Sequence, residues 1–501
     1  MFLLCPGFGQ QIGPVNLCSW KRIMDLPMKI ALIKLPATYA DWYKQPALGI
    51  AYISACLESK GFDCRIFDAY FHSWSQDELI CRVKDYNPDV IGVTAMTHEI
   101  NQAARVAAEL KSLLNVTIVL GGCHVTALPA KTLEEFPVFD FGICGEGEHT
   151  TIELLEFLQK KNLASQLDNI KGIVFRKQEQ VIVNEARPFM TSAELDALPG
   201  PAMHHYYLDD PRALAPRDSY YVMFSSRGCP YNCAFCMQVL GRKVRRRSPS
   251  RILQEMEYAI EHFGAHTFNF ADEIFLFDNR QTRELLELFI EKNIPGRIKW
   301  SALTRANFVN SELIALAKKA GCYSLEMGVE SGDDEILKTI DKAITVEQVE
   351  QAVKIIKDAG ITLGTYYILG HPGETLQTVK KTSNLAVNLN TDFIAIGLMV
   401  PYPGTRIFDL ALQGRYGYRL LSQDWSQYDK YGGKVLEIEG LPYSQLLKWQ
   451  KKTLLNLYLK NFRLLDCLKF FWKRRKALYF MIKKKMMMGI KKPLSLRADP
   501  A

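Results

Sequence analysis

The sequence predicts an α/β chain with a doubly wound parallel sheet first, a partial parallel barrel second and a basic, mainly helical region last. Three observations predict it. Short apolar, β-branched runs alternate with amphipathic stretches twice along the chain, the pattern of parallel strands covered by helices on both faces. A proline-rich break at Leu198 to Pro216 separates the two series. The charge is uneven: residues 441–501 carry 16 Lys or Arg against two Asp, a net of +14, so the rest of this +8 chain sums to −6.

Residues 1–27 have no clear period and read as an N-terminal extension, and a start at Met28 fits. Residues 28–160 then alternate strands near 29–35, 63–68, 89–95, 116–120 and 139–143 with helices near 47–60, 76–86, 99–114 and 148–160, a Rossmann-like order. Residues 161–217 read as a linker with a small β element, Gly172 to Val183. Residues 218–410 show strands at Tyr220–Phe224, Thr267–Phe270, Lys299–Ala302, Ser324–Val329, Thr362–Leu369 and Phe393–Val400, enough for a partial (β/α)6 barrel. Residues 411–501 form the helical, basic C-terminal region.

Composition narrows the setting. At 501 residues and 48% hydrophobic, the chain is long enough for two or three cores. Twelve cysteines at irregular spacing argue against a disulfide framework and for a reducing cytoplasm. No apolar run reaches the roughly 18 residues of a membrane span. Residues 446–492 mix Leu, Phe, Trp and Tyr with Lys and Arg at helical spacing. Packing on the barrel is the first reading of that segment and peripheral contact with an anionic membrane the second. Nucleic acid ranks last, because no binding signature accompanies the charge.

The chemistry concentrates at Cys229, Cys233 and Cys236, at the end of the first barrel strand. Three thiolates leave one metal corner free for a small molecule, where structural zinc takes a fourth protein ligand. Catalytic groups of barrels gather at strand C-termini, and ligands of open sheets lie beyond the strand carboxyl ends. Gly121-Gly122 and Gly145-Glu146-Gly147-Glu148 fall at such ends in the first sheet, as ligand-approach sites or ordinary turns. Neither is a Gly-x-Gly-x-x-Gly fingerprint, which disfavours a dinucleotide. Arg242, Lys243 and Arg245 to Arg247 follow the cysteine loop, as a solvated face or as charge toward anionic groups.

These residues resemble the radical S-adenosylmethionine enzymes, whose three cysteines bind a 4Fe-4S cluster that chelates S-adenosylmethionine at its open iron. The resemblance implies that Cys229, Cys233 and Cys236 hold the cluster and that Phe235 lies near the adenine. It places Asp272 and Glu273, in Phe270-Ala271-Asp272-Glu273, toward the methionine amino group. Glu330 and Ser331, in Gly328 to Gly332, fall to the ribose and carboxylate, and Gly370 and Gly373, in Leu369 to Thr375, to the adenine.

The N-terminal half resembles the cobalamin-binding domain of one class of these enzymes through Pro46 to Tyr52, Gly121 to Thr126 and Gly145 to Glu148. Together the two resemblances cover roughly residues 28 to 410. They imply cobalamin contacts from Leu48, Gly49, Gly121, Gly122, His124, Gly145, Glu146 and Gly147. The Asp-x-His-x-x-Gly string that supplies a lower cobalt ligand elsewhere is absent; His124 and His98 are alternative ligands, though core or surface roles suit both better.

The implied activity is cleavage of S-adenosylmethionine to a 5′-deoxyadenosyl radical, with methylation of an unactivated carbon in a small-molecule, lipid-like or natural-product substrate. An electron donor such as flavodoxin or ferredoxin would feed the cluster. A non-methylating cyclase or rearrangement enzyme, a sensor without turnover and a tRNA-modifying enzyme are the alternatives. No catalytic acid or base is assigned.

Overall fold

The computed structural model describes residues 27–36, 44–160, 164–208, 220–430, 433–463 and 465. In the first sheet β1 (Lys29–Lys34), β2 (Asp63–Asp68), β3 (Val90–Thr94), β4 (Thr117–Gly121) and β5 (Phe141–Ile143) pair in parallel in the order β2-β1-β3-β4-β5. β1 shows why both faces are covered. Its Ile30 and Leu32 join one apolar core while Ala31 and Ile33 join another, the period-two alternation of a strand buried on both sides. The first of these cores runs on without a break into the second half of the chain, through helix Leu48–Ser59 and residues Met190 to Tyr206.

The β element at 172–183, expected within a linker, belongs to this sheet. β6 (Ile173–Lys177) and β7 (Gln180–Val183) add to β5 as an antiparallel hairpin, turning through Gln178 at φ +58°. Ile173, Val174 and Phe175 are buried against the sheet, so the strand is held by packing as well as by pairing.

The second sheet is wholly parallel. β8 (Tyr221–Met223) leads, then a two-residue ribbon of β9 (Ser226–Arg227) with β10 (Arg245–Arg246) interrupts the chain. β11 (Thr267–Phe270), β12 (Lys299–Thr304), β13 (Cys322–Glu330), β14 (Thr362–Leu369) and β15 (Phe393–Leu398) follow in sequence order from β8 to β15, the open barrel expected. The helices between these strands start on Ser248, Asn279, Asn310, Asp333, Thr345 and Thr375. Each of those side chains accepts a backbone N–H of its own first turn, which fixes where strand gives way to helix.

Among the described residues the C-terminal region holds a strand pair as well as the expected helix. β16 (Tyr418–Leu420) and β17 (Leu436–Ile438) form an antiparallel pair, and between them Trp425 and Tyr428 join the core on the far face of the first sheet. Helix Tyr443–Lys460 docks on the barrel, with Gln450 donating to the Ile396 carbonyl at 2.7 Å and Thr453 to Ser383 at 2.7 Å. Barrel packing therefore accounts for the start of the basic segment, and its continuation, residues 466–492, lies outside the described residues. Among the described residues no helix is long and apolar enough to cross a membrane.

Candidate active site

The ribbon of β9 and β10 pairs Arg227 with Arg245 and so closes the base of the loop that carries the three cysteines. Inside it the Cys229 amide donates to the Gly241 carbonyl at 3.1 Å and the Cys236 amide to Cys233 at 3.0 Å. Ala234 N–H reaches the Ile340 carbonyl at 2.9 Å, tying the loop to the far side of the barrel mouth. All three thiols are free and at least partly open to solvent. Burial, reinforced by the neighbouring thiols, pushes Cys236 up to about 11 and Cys229 above its ordinary range. A bound metal would release those protons, so metal binding is coupled to pH here.

The residues expected around the loop divide into two groups. Phe235 packs with its ring 6.0 Å from that of His371, and Lys342 Nζ lies 5.8 Å from the centre of the Phe235 ring. Lys342 also donates to Glu330 Oε1 at 2.7 Å, with both side chains below a tenth exposed. Glu330 itself stands at φ +70°, a left-handed conformation uncommon for a non-glycine residue that turns its carboxylate toward Lys342 at the end of β13. Phe235, Glu330, Lys342 and His371 thus converge at the barrel mouth.

Asp272 and Ser331 have protein partners instead. Asp272 accepts from Ser225 N at 2.7 Å, Ser225 Oγ at 2.5 Å and Ser226 Oγ at 2.6 Å, and burial raises its pKa. It braces the chain just before the cysteine loop. Glu273, also raised by burial, accepts the Gly228 N–H at 3.2 Å. Ser331 Oγ lies 3.3 Å from Thr382 Oγ1 and accepts the Asp333 amide.

Beyond β14, Gly370 takes φ +103°, and its amide and that of His371 donate to Glu374 Oε2. Gly373 is exposed on the same turn. His371 is fully buried with no well-formed hydrogen bond to either ring nitrogen, and burial pushes its pKa down to about 3. Glu374 Oε1 is buried and unpartnered too. Such orphaned polar atoms around one strand end fit a polar ligand seated there.

In the first sheet, Leu48 and Gly49 open the helix after β1, Gly121 and Gly122 end β4, and Gly145 to Gly147 follow β5, all at the carboxyl edge. Gly122 has φ +101°, and a Cβ there would lie 2.6 Å from the Ala95 carbonyl oxygen, so only glycine fits. Glycine-lined turns along one sheet edge fit a bulky planar cofactor. Two expected contacts fall elsewhere. Glu146 gives both oxygens to Arg227, Arg245 and the Met190 amide, and so points into the protein. His124 is 1% exposed, wedged edge-on to Trp425 with ring centres 5.1 Å apart, and burial pushes its pKa down to about 4. His98 is buried as well, which suits its core reading.

The two halves meet at this edge. A Cβ placed on Gly404, in the turn after β15, would stand 3.3 Å from Ala127 Cβ of the first half and 3.5 Å from Met237 beside Cys236. The arginine run after the cysteines is largely internal: Arg245 pairs with Glu146 and Arg247 with Glu255, leaving Arg242 and Lys243 exposed. Lys342 and His371 carry no signal in the sequence, because one follows a short helix and the other sits in a turn read only for its glycines.

Comparison with known proteins matches residues 42–155 to the B12 binding domain and residues 223–386 to the Radical SAM superfamily. An uncharacterized methyltransferase of Pyrococcus horikoshii is 29% identical over 418 residues, 83% of this chain and 88% of that protein. The anaerobic magnesium-protoporphyrin IX monomethyl ester cyclase of Cereibacter sphaeroides is 28% identical over 374 residues, 72% of this chain and 60% of the cyclase. The fold matches the radical S-adenosylmethionine methyltransferase TsrM from Kitasatospora setae, solved with cobalamin and a 4Fe-4S cluster, at TM-score 0.70 and 17% identity, over 85% of this chain and 91% of that one.

Proposed function

From the premise that this chain is a cobalamin-dependent radical SAM enzyme, we propose that it methylates an unactivated carbon of a small-molecule or lipid-like substrate. The observation that carries the reading is the meeting of Ala127, Gly404 and Met237, which brings the cysteine loop and the glycine-lined edge of the first sheet to one place. The likeness to proteins named as methyltransferases, over 88% of one and 79% of another, is consistent with the same reading.

When bound, the cluster and S-adenosylmethionine supply a 5′-deoxyadenosyl radical, and cobalamin supplies a methyl group. The chain's residues position and protect this chemistry. Cys229, Cys233 and Cys236 hold the cluster on a loop closed by backbone bonds. Glu330, fixed by Lys342, offers a carboxylate to a ribose diol, and Phe235 with His371 offers an aromatic wall to a base. Gly49, Gly121, Gly122 and Gly145 open the first sheet's edge to the corrin. The exposed Arg242 and Lys243 beside the loop suit an acidic electron donor of the flavodoxin or ferredoxin type.

Anaerobic reconstitution with mass spectrometry of the S-adenosylmethionine products tests the proposal. Methyl transfer requires S-adenosylhomocysteine and 5′-deoxyadenosine together. 5′-Deoxyadenosine alone would refute it in favour of cyclase-type chemistry. Cys229→Ala, Cys233→Ala and Cys236→Ala combined should abolish iron binding and both products.

A further inference from the structure

Charge, as well as apolar packing, fastens the cysteine loop to the first sheet. Arg227 lies two residues before Cys229, and Arg245 faces it across the ribbon. Arg227 Nη1 lies 3.1 Å from Glu146 Oε1 and Nη2 2.6 Å from Glu148 Oε1. Arg245 Nη1 reaches the two oxygens of Glu146 at 2.9 and 2.8 Å. None of the four side chains is more than 6% exposed. Further bonds hold the set in place: Met190 N–H donates to Glu146 Oε2 at 2.8 Å, and Arg245 donates to the Met190 and Leu240 carbonyls.

Two guanidinium groups and two carboxylates form a neutral buried set that bridges the halves of the molecule. Such a set contributes little net stability over an apolar filling of the same shape. What it does supply is geometry, because the planar guanidinium fork of Arg227 spans the two carboxylates and fixes distance and angle at once. The fork anchors here are the ribbon at the base of the cysteine loop and the turn after β5, which belongs to the glycine-lined edge.

We propose that Glu146 and Glu148 are positioning residues that set the cysteine loop at a fixed place relative to the carboxyl edge of the first sheet, and thereby fix the separation of cluster and cobalamin. They act through Arg227 and Arg245. The inference rests on the two cofactor sites and is independent of whether the reaction transfers a methyl group.

The test uses the enzyme loaded with both cofactors and without substrate. Pulsed electron paramagnetic resonance measures the dipolar coupling between the reduced cluster and cob(II)alamin in the native chain, in Glu146→Gln and in Glu148→Gln. The variants should keep native iron and cobalt contents and show a displaced or broadened distance distribution. An unchanged distribution at full cofactor content would overturn the proposal. So would loss of cobalamin from Glu146→Gln with a native cluster spectrum, since that makes Glu146 a ligand contact. Should the Gln variants fail to fold, Glu148→Asp decides by the same measurement, because it keeps the charge and retracts it by one methylene. Absence of S-adenosylhomocysteine from the native enzyme would sink methyl transfer and leave this coupling unaffected.

Discussion

Replacing Lys342 by methionine removes one charge from the pair at the end of β13 and preserves most of the side chain's volume. Lys342 Nζ and Glu330 Oε1 are 2.7 Å apart, with side chains 9% and 8% exposed. At an effective dielectric constant near 20, that separation corresponds to roughly 6 kcal/mol of gross attraction. The measurable loss is smaller, about 3–5 kcal/mol, because the stranded carboxylate rather than the missing contact sets the cost. The urea midpoint of the cofactor-free chain should fall accordingly. Lys342→Met with Glu330→Gln should recover most of the loss, since no charge is then left unpaired. S-Adenosylmethionine affinity of the cluster-loaded Lys342→Met enzyme should weaken roughly 10- to 150-fold, the value of one charge-assisted hydrogen bond of about 1.5–3 kcal/mol. A single variant that costs less than about 1 kcal/mol, or a double variant no more stable than the single, would refute the reasoning.

A buried histidine and a glycine turn near the sites give further outcomes. His371 is neutral in the fold down to a pKa of about 3 against an ordinary value of 6.5. The unfolded chain therefore takes up a proton first, and stability that is full above pH 6.5 declines as pH falls. At pH 5 the deficit is about 2 kcal/mol relative to pH 7, and His371→Phe should remove that share of the acid sensitivity in denaturation curves. Gly122→Ala meets both a positive φ and the Ala95 carbonyl oxygen, so it should cost about 1–3 kcal/mol and release cobalamin, read by absorbance. Gly121→Ala, where an added Cβ meets nothing within 4 Å, should leave the cofactor-free fold unaltered.

Periodicity made the strands legible. The runs around Ile30, Ile91, Ile118, Phe268 and Leu363 are buried strands because their apolar residues have no other face to occupy. β6 differs: its residues read as a strand, but its pairing with β5 is a long-range choice that its own pattern does not encode. The same limit governs the site. Cys229, Cys233 and Cys236 are legible because ligand spacing is local. Glu146 is legible as a residue at a strand end, yet its arginine partners lie 81 and 99 positions away, so local spacing does not show where its carboxylate points. His124 moved for a similar reason, since the tryptophan that covers it comes from the C-terminal region.

That tryptophan has a consequence for synthesis. Trp425 Nε1 donates to Glu135 Oε1 at 2.9 Å across 290 positions of chain, and its ring closes over His124. At 5–20 residues per second, roughly 15–60 s pass between translation of Glu135 and arrival of its partner. During that interval the far face of the first sheet emerges from the ribosome without this covering side chain, so its core is completed only after the whole barrel has been made.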